Sequence, residues 1–213
     1  MENILFQDDH LLLVAKPVGV SSQEATGDSL PLRLARMGSP VLSVHRLDTP
    51  TGGVMVYART KAAAAGLSAL VGQHDRFVKE YLAVVQGIPQ PEGELTDLLY
   101  HDVRKNKSYP VKRERKGVRL ARLSYTLLQT VETPEGLFSL VRVRLHTGRT
   151  HQIRVQFASR GMPLYGDIRY GGVKGEGLGL WSYRLTFPHP QNGRPVCGEC
   201  PPPDGAPWSW FSE

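Results

Sequence analysis

Leu120-Ala121-Arg122-Leu123-Ser124-Tyr125-Thr126-Leu127-Leu128-Gln129-Thr130-Val131, a turn of Glu132-Thr133-Pro134-Glu135-Gly136, then Leu137-Phe138-Ser139-Leu140-Val141-Arg142-Val143-Arg144-Leu145, is the stretch that decides the fold class. Both arms are rich in Leu, Val, Thr and aromatic residues, and Pro and Gly punctuate the link between them. They read as two long antiparallel strands joined directly. A doubly wound parallel sheet would need a crossover of a dozen or more residues between such strands, usually a helix. The chain is therefore expected to be α+β, with a mixed, mostly antiparallel sheet and a few flanking helices.

Working outward, Ile4-Leu5-Phe6 and Leu11-Leu12-Leu13-Val14-Ala15 read as strands around the polar turn Gln7-Asp8-Asp9-His10. Residues 53–58 and 78–86 read as strands too, the second from its alternation and from Gly87 and Pro89 beyond its end. Residues 181–187 form a last strand, followed by Pro-rich coil. Helices are expected over 30–37, stopped by Gly38, and over 61–71, with Ala64, Leu67 and Leu70/Val71 at helical spacing and Gly72 past the end. A third is expected over 150–160, ended by Gly161, and the Gly-rich stretch 171–179 reads as a flexible loop. There is no internal repeat and no long linker. A single domain is expected over 1–213, with its core at about 4–190 and a Pro-rich tail at 191–213.

With 213 residues, 40% hydrophobic and 22% charged, the composition is that of a globular protein able to bury a core without disulfides. No apolar run is long enough to span a bilayer, and residues 1–5 lack the basic flank and apolar block of a secretory signal. A cytoplasmic protein that does not engage membranes is expected. Cys197 and Cys200 form a lone Cys-x-x-Cys; zinc would need two more ligands, and Pro201-Pro202-Pro203 follows where a redox motif opens a helix. They read as two thiols in a terminal loop, and no metal site is expected.

The net charge of +6 is concentrated. Residues 104–122 carry nine Lys and Arg against the single Glu114, so the rest of the chain is slightly acidic. With Tyr109 and Tyr125 close by, this basic stretch suits a phosphate backbone, or else a solvated charged hairpin.

Two further stretches carry candidate chemistry. His45-Arg46-Leu47-Asp48-Thr49-Pro50-Thr51-Gly52-Gly53 places a carboxylate beside an arginine at a turn feeding a strand. Asp48 there suits a nucleophile or acid held at a sheet edge, or a turn aspartate bonding local amides. Gly148-Arg149-Thr150-His151-Gln152-Ile153-Arg154 offers cations that could hold such a carboxylate through two parallel hydrogen bonds and favour its ionised form. A purely structural ion pair is the other reading of Arg154.

These stretches, together with Lys16-Pro17-Val18-Gly19, Lys79-Glu80-Tyr81-Leu82-Ala83-Val84-Val85-Gln86-Gly87, Gly161-Met162-Pro163-Leu164-Tyr165-Gly166-Asp167 and Phe187-Pro188-His189-Pro190, closely resemble the ordered motifs of the RluA-type RNA pseudouridine synthases. The resemblance runs from about residue 4 to 190. It implies the pseudouridine synthase fold and a reaction that isomerises uridines of structured RNA, ribosomal or transfer, to pseudouridine. It implies Asp48 as catalytic aspartate, Tyr81 packed on the flipped base and taking part in proton transfer, and Arg154 as salt-bridge partner of Asp48. Arg46 would fill the space the flipped uridine leaves. His45, Arg149 and His151, with Lys112 and Arg113 of the basic stretch, are the other expected RNA contacts. The family commonly has Ser at Gly52 and His at Gln156. The small RNA-binding domain often fused before this motif set is not expected, because the first motif begins near residue 4.

The chemistry fits independently. Uridine loses its base–sugar C–N bond, the base rotates, and a carbon–carbon bond rejoins it. No redox change or external energy is involved, so no cofactor is expected, and no phosphate-cradling Gly-x-x-x-x-Gly-Lys-Ser/Thr motif occurs. The protein is expected to act as a monomer. The alternatives are a non-catalytic RNA-binding or RNA-folding module on the same scaffold and, more distantly, a hydrolase of base–sugar bonds.

Overall fold

The computed structural model describes residues 2–23 and 27–211. The described residues fall into two compact units, those within 1–80 and 181–202, and those within 81–180 and 203–213. The expected α+β class holds.

In the first unit, strands β1 (Asn3–Gln7), β2 (Leu11–Lys16) and β4 (Gly52–Ala58) pair antiparallel in that order, and the short β3 (Leu42–Ser43) adds to β4. Two helices belong here, α1 (Leu30–Arg36) and α2 (Lys61–Val71). Every residue of β4 is buried, because it is covered on both faces. β10 (Leu180–Pro188) joins β4 in parallel, through Trp181 opposite Gly52 and Ser182 opposite Gly53, which makes the sheet mixed. α2 starts where Thr60 accepts the Ala63 N–H at 3.1 Å, a side-chain cap for an otherwise unpaired amide. Its buried stripe is Ala63, Leu67 and Leu70; Ala64 is only half-buried. A strand also stands within the stretch read as Pro-rich coil: β11 (Pro195–Glu199) pairs antiparallel with β10, so Cys197 lies on a strand and not in a terminal loop. Cys197 is exposed and Cys200, just past β11, is buried.

β5 (Val78–Gln86) carries the chain from the first unit into the second. In the second unit β6 (Glu92–Asp102), β7 (Lys107–Val111), β8 (Val118–Thr133) and β9 (Gly136–Leu145) form antiparallel pairs, β6 between β7 and β8, and β8 between β6 and β9. β8 and β9 are the two arms of the hairpin read from the sequence. β6 and β7 were not anticipated, and they turn the basic stretch into strand-and-turn structure.

The third helix corrects the expected span. α3 is Gln152–Ala158, and His151 precedes it in the left-handed conformation with φ of 55°. A non-glycine residue rarely adopts that region; the helix starts two residues later than expected, and it ends at Ala158 instead of 160. Stretch 171–179 is a loop, as expected, and two of its glycines sit in close contacts. A Cβ at Gly172 would fall 2.2 Å from the Leu164 carbonyl oxygen, and one at Gly175 would fall 2.3 Å from the Tyr165 ring, so these glycines permit close packing. Among the described residues no helix is long and apolar enough to cross a membrane.

Candidate active site

Asp48 lies on the segment leading into β4, and that segment is anchored from several sides within the first unit. The Ser22 hydroxyl serves both backbone groups of Leu47, donating to its C=O at 2.8 Å and accepting its N–H at 3.1 Å. On the other side, the Thr49 C=O accepts from the Gly19 N–H at 2.9 Å and from Lys16 Nζ at 3.2 Å. The Thr51 N–H closes a turn onto the Asp48 C=O at 2.9 Å. The two residues flanking Asp48, Leu47 and Thr49, are thus tied to different parts of the unit, while Asp48 itself is only half-buried.

Lys16 is the residue the sequence reading missed here. Its side chain is fully buried, and its ammonium also donates to the carbonyls of Pro17 and Val20, each at 2.8 Å. Burial pulls its pKa down to about 8, opposed by the negative charge of Asp48. Its place beside the Pro17-Val18-Gly19 turn was the available signal, since a charge can be buried there only by satisfying carbonyls that a strand no longer pairs.

His45 is buried, and its Nε2 accepts the Val56 N–H at 3.1 Å. Burial, with a contribution from the Lys79 charge, holds its pKa near 3, so the ring is neutral and its lone pair stays available to that amide. His45 is thus buried against β4, bonded to the Val56 amide, and not part of the exposed surface. Arg46 is exposed. Gly53 has φ of 111°, and a Cβ there would meet the Ser182 carbonyl oxygen at 2.1 Å. At Gly52 a Cβ would fall 2.2 Å from the Trp181 ring, which takes the space a serine would need.

The other candidates belong to the second unit. Tyr81 on β5 is buried. Arg154, also buried, sits on α3, where its Nε and Nη2 donate to the two oxygens of Asp167 at 2.7 and 2.8 Å. Asp167 lies in the Gly166-Asp167 pair of the motifs, so this partner was within view of the sequence but had no role assigned. A planar fork on a carboxylate fixes the guanidinium's orientation. Its carbon also lies 5.3 Å from the centre of the Tyr170 ring.

Tyr170 ends a short 3-10 helix, Ile168–Tyr170. Its hydroxyl accepts the Ser108 N–H at 2.8 Å and shares a 3.0 Å hydrogen bond with His151 Nδ1. His151 is thus buried in a polar cluster. Arg149 is exposed, and its Nε donates to the Leu120 carbonyl at 2.9 Å. Lys112 and Arg113, both exposed, lie in the loop between β7 and β8. The basic stretch is divided: Arg104 and Lys105 stand at the β6–β7 turn, and Lys112, Arg113, Arg115 and Lys116 at the other end of β7. Five residues of strand separate them, roughly 16 Å at about 3.3 Å per residue.

Residues 10–159 match the family model described as RNA pseudouridylate synthase. The chain is 33% identical over 207 residues to the dual-specificity RNA pseudouridine synthase RluA of Escherichia coli, covering 93% of this chain and 92% of that one. It is 32% identical over 217 residues to ribosomal large subunit pseudouridine synthase D of Zymomonas mobilis, covering 91% of this chain and 67% of the relative. Among solved structures, human RNA pseudouridylate synthase domain containing 1 superposes with a TM-score of 0.78 at 24% identity, over 96% of this chain and 84% of that one, which supports the fold.

Proposed function

The chain belongs to the RNA pseudouridylate synthase family, isomerases of uridine in RNA, and from that premise we propose that Asp48 is its catalytic carboxylate. The observation that carries the assignment is the anchoring of the Asp48 segment. Leu47, Thr49 and Thr51 are each bonded, by Ser22, Lys16 and Gly19 and by the turn itself, so the carboxylate is delivered from a pre-ordered support. Catalysis gains from groups held in place before reaction. Asp48 acts either at the anomeric carbon of the sugar or in elimination to a glycal, and in both routes the carboxylate must be ionised.

Tyr81 packs on the flipped base and takes part in moving its proton, and Arg154, oriented by Asp167, supplies the positive charge. Arg46 fills the stack left by the uridine, whose extrusion costs a few kcal/mol. Lys112 and Arg113, with the rest of the basic stretch, offset that cost through phosphate contacts. His45 and His151 support the segments that carry Asp48 and Arg154. The RNA is structured, ribosomal or transfer, and the protein works as a monomer in the cytoplasm. Isomerisation changes neither composition nor oxidation state, so this reading calls for no cofactor.

Asp48→Asn is expected to bind RNA with unaltered affinity and form no pseudouridine, read by pseudouridine mapping of total RNA incubated with each protein. Unchanged isomer formation by that variant would overturn the assignment, and release of free uracil would point to a hydrolase, since isomerisation leaves the RNA mass unchanged. The pairing of Arg154 with Asp48 that the resemblance implies is tested by a double-mutant cycle on product formation.

A further inference from the structure

The two most exposed large apolar side chains among the described residues are Val103, 80% exposed, and Ile168, 65% exposed. Single exposed apolar residues are ordinary, but these two belong to segments bonded to each other through Arg169 and stand among cations. Val103 opens the β6–β7 turn and is followed by Arg104 and Lys105, both exposed. Ile168 is followed by Arg169, whose Nη1 donates to the carbonyls of Lys105 at 2.9 Å and Asn106 at 3.2 Å. The turn's backbone is committed inward: Lys105 N–H donates to Asp102 Oδ1 at 3.1 Å, and Asn106 takes the left-handed conformation with φ of 45°. Val103, Arg104, Lys105 and Asn106 are all exposed, so the turn presents one apolar and two cationic side chains beside an amide.

We infer that the turn at 103–106, with Ile168 beside it, is an RNA-docking tip. In it Arg104 and Lys105 take phosphates, and Val103 and Ile168 pack against a ribose or unstacked base next to them. Apolar wedges among cations serve this purpose on nucleic acids, where the backbone is anionic and the exposed base face is apolar. The inference rests on the synthase reading and extends it, because it gives the RNA a second fixed point. That point is mechanically joined to the reaction machinery by four consecutive residues. Asp167 grips the Arg154 fork, Ile168 lies at the tip, Arg169 bonds the turn, and Tyr170 receives Arg154 on its ring while its hydroxyl holds Ser108 at the base of the turn. RNA held at the tip is therefore held at a set distance from Arg154. An anionic lipid surface also combines negative charge with apolar matter; RNA is favoured because the family's substrate is RNA.

The test compares Val103→Ser/Ile168→Ser, Arg104→Ala/Lys105→Ala, and a control at a remote exposed apolar site, Leu128→Ser. Binding is titrated on deproteinised ribosomal RNA and unmodified transfer RNA transcripts at several salt concentrations, and on phosphatidylglycerol–phosphatidylcholine vesicles. The apolar pair is expected to raise Kd five- to tenfold with an unchanged salt slope. The basic pair is expected to raise Kd and flatten the logarithmic salt slope by about 1.5, since each phosphate left without its cation takes roughly 0.7–0.9 from that slope. The control should match the parent protein. RNA affinity within twofold of the parent in both double variants overturns the inference, as does vesicle binding that the substitutions abolish while RNA binding persists. Binding is read apart from turnover. A parent protein that forms no pseudouridine would therefore defeat the synthase reading without deciding this one.

Discussion

At the scale of single residues, the support under Asp48 is built from buried groups whose ionisation the fold has displaced. His45 is held neutral by burial, with its pKa near 3 against an ordinary value of about 6.5. Below pH 6.5 the unfolded chain takes up a proton that the folded chain refuses. The stability this neutral ring contributes is thus complete above that pH and lost as pH falls toward 3, by up to about 1.4 kcal/mol per pH unit. His45→Gln keeps an acceptor for the Val56 amide but does not titrate. Urea unfolding at pH 7, 6 and 5 should therefore give the variant a flatter dependence, and equal slopes would remove His45 from the account. Lys16 and Lys79, both brought down to about 8 by burial, have the same direction of dependence at higher pH. Between pH 8 and 10.5 the unfolded chain binds more protons, so their contribution grows as pH rises. Gly52 gives a second prediction. A serine Cβ cannot coexist with the Trp181 ring in its present place, and overpacking of this kind costs about 1–3 kcal/mol. Gly52→Ser should lower the urea midpoint accordingly, and adding Trp181→Leu should recover part of the loss. A serine tolerated without loss would mean that the ring moves freely.

Among the elements, those legible in the sequence are the ones whose signal is local. Alternation set β5, and the Pro-Gly turn set the β8–β9 hairpin. Helical spacing with Gly72 past the end set α2, although its buried stripe begins at Ala63 and not at Ala64. β6 and β7 were hidden because Glu92, Glu94, Asp97 and Lys107 interrupt their apolar pattern with charge and Pro110 stands inside β7. β11 was hidden by flanking prolines and by its dependence on β10 for partners. The start of α3 is not legible because nothing local marks the left-handed backbone of His151, whose ring is bonded to Tyr170, nineteen residues away. The same distance effect concealed the partner of Arg154. Its residue type and helix were readable, but Asp167 comes to it only through the fold. That fork ties α3 to the 3-10 helix at 168–170, and removing one member of a buried ion pair typically costs about 3–5 kcal/mol. Asp167→Asn, which keeps the shape and loses the charge, should lower the unfolding midpoint and reduce turnover at saturating RNA more than it reduces RNA affinity. An equal loss in affinity and turnover would argue that Asp167 holds the RNA surface instead of orienting Arg154.

For the whole molecule, the decisive quantity is where the charge lies. An even distribution of +6 over 213 residues would attract RNA weakly and from every side, but nine of the 26 basic residues fall within 104–122. The fold then separates these nine along β7 and β8, so that they act as distinct points of attachment and not as one stripe. Each phosphate neutralised releases counterions, so the salt dependence of binding counts the contacts made. Lys112 and Arg113 sit in the exposed loop at the end of β7 away from the 103–106 turn, where solvent surrounds their side chains. Lys112→Ala/Arg113→Ala should therefore leave the unfolding midpoint unchanged while weakening binding to ribosomal and transfer RNA alike. The loss should be about tenfold at 0.1 M salt, with a salt slope shallower by about 1.5. Because phosphate contacts position without reading sequence, the set of modified uridines should remain the same while the protein needed to modify them rises. A changed set of sites would show that this loop reads bases, and an unchanged affinity at low salt would show that its charges only meet solvent.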